Sequence, residues 1–260
     1  MVSVFLVAAA ATIIPALGFL WYLLGRYEGY FEDARVFFSL IVGFFAGLVV
    51  AFMETVLFPF NSDAFIASAG FGTALVLFVG GYALVESAAK TIVLGTGKFR
   101  KRKDTPYYGA ALGIGFGAMV ALQSVALGFN RIGVIGWRLD VDTVAIASFV
   151  LMLAFGNLLT QGAVGVWIGR GVADGRLWRG LVHGALLHMP FLLLLWLARL
   201  EGLLTISLAA VGAIVYGAGL VYYTQHNILD KVVPPEIRDL VMKERRRAER
   251  EKMRGPDGPD

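Results

Sequence analysis

Seven stretches of the chain are almost free of charge: about 2–24, 36–58, 65–94, 107–129, 143–168, 180–198 and 203–223. None shows the period-two alternation of a barrel strand, and each is near the roughly 20 apolar residues that carry a helix through a hydrocarbon core of about 30 Å. A helix satisfies its own backbone polar groups where no water is present. The pattern therefore predicts an all-α, polytopic membrane protein with seven transmembrane helices. The third run is longer than a crossing needs and is expected to tilt or protrude. The first lacks the basic start of a cleavable signal peptide and is read as a permanent anchor. Trp21, Tyr22, Tyr27 and Tyr30 suit the headgroup level at its end.

Composition agrees: 58% of the residues are hydrophobic, 16% are charged and the mean hydropathy is +0.72, too apolar for a soluble domain. Residues 1–230 form the membrane domain, with no room for a second folded unit. Cysteine is absent, which excludes disulfides, thiolate metal sites and a cysteine nucleophile.

Charge supplies orientation. The loops after helices one, three and five and the tail carry nineteen Lys and Arg; the opposite side carries three. The loop 95–106 alone holds Lys98, Arg100, Lys101, Arg102 and Lys103. This positive-inside bias predicts an N-terminus outside and a C-terminus in the cytoplasm of a multi-pass cell-membrane protein. Pro234 and Pro235 open a charged tail, 231–260, with a helix expected over about 236–253 and a disordered GPDGPD end. The tail reads as a solvated helix that fixes topology. Docking onto acidic lipid, RNA or a partner protein is the alternative.

Ionisable and amide side chains inside the runs are the candidates for function. They are Glu54, Glu86, Lys90, Gln123, Asn157 and Gln161. Glu86 and Lys90 are four apart and share a helix face, with Glu first, the better order for a pair. Gly109, Gly113 and Gly117 recur every fourth residue and offer a surface for close helix packing, within the chain or between chains. His183 and His188 are five positions apart, about 140° around a regular helix, so one metal could not readily take both. No metal or cofactor is expected. The last run, LLTISLAAVGAIVYGAGLVYY, offers no lysine for a retinal Schiff base. Only His183 and His226 approach a bis-histidine haem arrangement, and both lie at the edges of their runs.

The order of an acidic helix, a basic loop, a Gly-rich helix and a later His-bearing helix resembles the clan of glutamic intramembrane peptidases that includes the PrsW, YhfC and CAAX-processing families. VESAAK keeps Glu86 and Lys90 of the clan's EExx(K/R) pattern but has Ser87 for the second glutamate. GIGFGAMVA, 113–121, is similar to the YhfC pattern GxGHGGxEA but carries Phe116 at the His position and Val120 at the Glu position. LVHGALLH matches the later His helix loosely. The resemblance implies helices three and four side by side and catalytic candidates Glu86, His183, His188 and Asn157. It also implies that the hydrolytic positions on helix four have been replaced by hydrocarbon.

The resulting expectation is a non-catalytic binding or assembly subunit that recognises membrane segments or partner proteins in the bilayer. Two alternatives stay open. One is an active peptidase using Glu86 with a histidine and Asn157; the other is a solute or ion transporter using Glu54, Glu86, Lys90 and Gln123.

Overall fold

The computed structural model describes residues 4–60, 62–131, 141–199 and 203–232, with positions 243 and 247. Among these the secondary structure is helical, joined by short turns, with no strand. Seven helical segments are long and apolar enough to cross a bilayer, so the protein is membrane-embedded. The tail helix expected over 236–253 and its contacts lie outside the described residues.

The first two crossings are α1 (Val4–Leu24) and α2 (Asp33–Val56). The third run is divided. Ser62 caps a short α3 (Asp63–Ala69) by accepting a hydrogen bond from the Phe65 amide at 3.2 Å, and Gly70, with φ of 82°, turns the chain. The crossing restarts as α4 (Phe71–Val76), passes through a π-turn over Leu77–Gly81 and continues as α5 (Tyr82–Leu94). The excess length of this run therefore becomes a separate short helix instead of a tilt. After α6 (Thr105–Arg131) comes α7 (Val141–Ala173), longer than its apolar run and ending beyond Arg170, which pairs with Asp174 at 3.0 Å. The last elements are α8 (Leu177–Leu197), α9 (Leu203–Thr224), a π-turn over Gln225–Leu229 and α10 (Asp230–Val232).

α6 is the axis of the bundle: two thirds of its apolar window is buried, against a third or little more for the others. α1 and α2 pack along one side of it and α7 along the other, with α8 and α9 against the far side of α7. Glycine makes this possible. A methyl group on Gly109 would strike the carbonyl oxygen of Gly165, and one on Gly113 would strike that of Gln161. At Gly117 it would meet the Gln161 side chain at 2.8 Å. Another face of the same helix meets α2, where Gly115 lies against the Leu40 carbonyl. The glycine ridge is thus consumed within the chain and is not a free surface for a partner. Backbones that approach this closely gain dispersion along their whole contact, which drives helix association where lipid supplies no hydrophobic force.

α5, the acidic helix, is placed differently from the expectation of helices three and four side by side. Its main neighbour is α8, and its contact with α6 is limited. The tight crossing lies at Ser87, where a methyl group added to Gly184 of α8 would sit 3.3 Å from the Ser87 hydroxyl. The helix end near α2 is fixed by Tyr82, whose hydroxyl donates to the Phe58 carbonyl at 2.6 Å and lies 3.1 Å from that of Glu54.

The basic loop is ordered by its own charges. Arg102 bonds both oxygens of Asp104, at 3.0 and 2.8 Å, and reaches Glu32 at 2.9 Å, while the Tyr108 hydroxyl donates to Asp104 at 2.6 Å. Partial burial alone would raise the Asp104 carboxyl. The hydrogen bonds from Arg102 and Tyr108, with the Arg102 charge, hold it below its usual range instead.

Candidate functional site

Three helices, α5, α7 and α8, converge on one oxygen. Glu86 projects from α5 toward α8 and α7, and its Oε2 is approached by three groups. Lys90 Nζ, one turn along the same helix, stands 3.5 Å away and also 3.3 Å from the Glu86 carbonyl. Gln161 Nε2 of α7 donates to the same oxygen. His188 Nδ1 of α8 lies 3.6 Å from it. At 3.5 Å the lysine contact is an ion pair more than a hydrogen bond, so the amide makes the directional contact.

Hydrogen-bond bookkeeping assigns the imidazole tautomer. Gln161 Nε2 is also 3.2 Å from His188 Nε2. An amide nitrogen only donates, so His188 Nε2 accepts and the ring proton sits on Nδ1, facing the carboxylate. Phe191 stacks on the imidazole, nearly parallel at 5.8 Å, and fixes its plane. Glu86, Lys90, Gln161 and His188 are each at most 1% exposed. α6 contributes Phe116, whose ring centre lies 3.9 Å from Lys90 Nζ. The ammonium is therefore held between a carboxylate and an aromatic face.

The surroundings are unusually rich in buried polar atoms without a protein partner: Glu54 Oε1, Ser87 Oγ, His188 Nδ1 and Gln161 Oε1. Glu54 on α2 interacts electrostatically with both Glu86 and Lys90. Among the described residues, no three carboxylate or imidazole groups gather in a way that could hold a metal ion.

The remaining candidates separate. Asn157, one turn from Gln161, spends its amide on the Gly117 carbonyl at 3.2 Å and so ties α7 to α6. Gln123 donates to the Thr55 hydroxyl of α2. His183 is outside the cluster: it is exposed, stacked on Trp167 at 5.8 Å, and its Nδ1 donates to the Arg179 carbonyl. His226 is likewise exposed and bonded to the Tyr222 carbonyl. Val120 is half-buried, its carbonyl accepting from Ser124. Tyr82 was not among the sequence candidates, although it lies one turn before Glu86 on the same face. Phe116 was marked only as hydrocarbon at the family's His position; that its ring lies against Lys90 is set by how α5 and α6 pack.

No protein-family model, curated protein or solved structure matches the chain.

Proposed function

We propose that this chain is a non-catalytic binding or assembly subunit, built on a scaffold similar to that of the glutamic intramembrane peptidases. It sits in the cell membrane with its N-terminus outside and its C-terminus in the cytoplasm. The orientation rests on the nineteen-to-three distribution of Lys and Arg. One observation carries the functional reading: the Glu86 oxygen that would serve as a base is already neutralised by Lys90 and bonded by Gln161. A general base must reach a water beside the scissile carbonyl. Glu86 is 1% exposed, and the α6 residue that the family pattern would make a histidine is a phenyl ring lying over the lysine. Such a cluster ties α5, α6, α7 and α8 together instead of opening a site between them.

In this reading, recognition falls to the outer surface. The lipid-facing ridge of α2 presents Phe37, Phe45 and Phe52, all more than 60% exposed and spaced along one face. A photoreactive phenylalanine analogue at Phe45 or Phe52 is expected to give a discrete adduct with a membrane protein in native membranes. Labelling of lipid alone would remove the binding role.

A second reading is favoured by the 3.6 Å between His188 Nδ1 and Glu86 Oε2, which is the separation of a carboxylate and imidazole that could share a water. Purified protein in vesicles with a fluorogenic transmembrane peptide distinguishes the two. The non-catalytic reading expects no cleavage. Cleavage that disappears in Glu86→Gln would replace it with the peptidase reading.

A further inference from the structure

A cavity of about 490 Å³ lies between α1, α7 and the end of α9, and none of the residues of the Glu86 cluster lines it. Its lining is mostly apolar, with Pro15, Gly18, Phe155 and Leu159 beside Tyr22 and Tyr222. The size falls within the range of small-molecule sites. A Cβ added at Gly18 would meet nothing within 4 Å, so the cleft wall there is open.

One wall is polar. Gln225, in the π-turn after α9, lines the cavity and is only 5% exposed, yet its Nε2 has no hydrogen-bond partner. A buried amide donor left unpaired costs about 1–3 kcal/mol. The cleft therefore pairs an apolar lining with one buried amide donor that has no partner.

We infer that this cleft holds one acyl chain of a glycerophospholipid, with an ester oxygen on the Gln225 amide. The dimensions favour a chain over a protein segment. From Pro15 to Tyr22 is seven residues, about 10 Å along a helix, whereas a partner helix crosses about 30 Å. A transmembrane helix also has its carbonyls already bonded and brings no free acceptor to Gln225. An ester lipid brings both parts.

The test uses the full chain reconstituted in vesicles of phosphatidylcholine and phosphatidylglycerol, doped with a phospholipid carrying a mid-chain diazirine. After photolysis, the sites of labelling are mapped by mass spectrometry. Labelling is expected to concentrate on the segments 15–22 and 218–225 over the other lipid-facing helices. Gly18→Phe, which fills the cleft from a position with room for it, should abolish that concentration, whereas Gly72→Phe on α4, equally unobstructed, should not. Gln225→Leu should reduce it about fivefold, the loss of one hydrogen bond to a buried amide. Even labelling of all lipid-facing helices in the wild type would overturn the inference, whatever the variants do. So would labelling that persists in a monodisperse Gly18→Phe protein, or a chain-to-chain crosslink at this cleft, which would mean that a second copy sits there. Should Gly18→Phe fail to fold, Ala218→Phe blocks the cleft from α9 and is read the same way.

Discussion

The ammonium nitrogen of Lys90 lies 3.9 Å from the centre of the Phe116 ring and 3.5 Å from the Glu86 carboxylate. The lysine is fully buried, so it has exchanged water for an anion and a π-face: removal of Glu86 leaves an uncompensated charge, and removal of the ring takes away part of what replaces its hydration. Phe116→Leu keeps the site apolar but deletes the ring. It is expected to destabilise the protein by about 2–3 kcal/mol, combining a desolvated cation–π contact with a partly filled cavity. Denaturant titration in mild detergent measures it. Unchanged stability would show that the ring is only a spacer.

Glu86→Gln and Lys90→Met each strand the other partner. Each alone is expected to cost about 3–5 kcal/mol, and the double variant distinctly less than their sum, because a matched neutral pair replaces a matched charged one. A double-mutant cycle reads the coupling directly, and additive losses would mean the two charges do not sense each other.

Gly109→Leu should abolish folding, because the Gly165 carbonyl already occupies the space of the first added carbon. Gly72→Ala, at a helical position where added atoms meet nothing within 4 Å, should be neutral or stabilising by up to about 1 kcal/mol. Size-exclusion profiles and thermal scans of the two proteins test the contrast. A folded Gly109→Leu protein would remove α6 from the centre of the bundle.

Asp104 gives the loop an acid limit. Its carboxyl is held below the usual range by Arg102 and Tyr108, so the folded pKa is lower than the unfolded one. The stabilisation is then fully present above the unfolded value and is lost as pH falls through the folded one. Hydrogen–deuterium exchange over residues 98–104, measured at each pH and corrected for the intrinsic exchange rate, should show protection falling as pH is lowered. Asp104→Asn should lack the protection at every pH. If the wild type keeps its protection through strong acid, the Arg102–Asp104 contact is not what orders the loop.

Hydrophobic runs were sufficient for the number of crossings, because a bilayer demands about 20 apolar residues of every spanning helix whatever its neighbours are. Spacing within one helix was equally legible: Glu86 and Lys90 had to share a face, and so did Asn157 and Gln161, since a helix returns to the same side every three to four residues. Gly70 was present in the sequence, but an isolated glycine in an apolar run does not announce whether the chain continues through it. Here its positive φ separates α3 from α4.

What the tertiary structure decided was which face of each helix looks inward. His183 and His188 are near neighbours on α8, yet only His188 meets Glu86, while His183 faces outward against Trp167. The same holds for Phe116, whose aromatic ring meets Lys90 only because α5 and α6 come together at that point. In a soluble protein the apolar stripe would have marked the inner face. In a membrane, lipid is as apolar as the protein interior. The one-dimensional pattern therefore fixed how many helices cross and which residues share a side, and close packing around α6 fixed which sides meet.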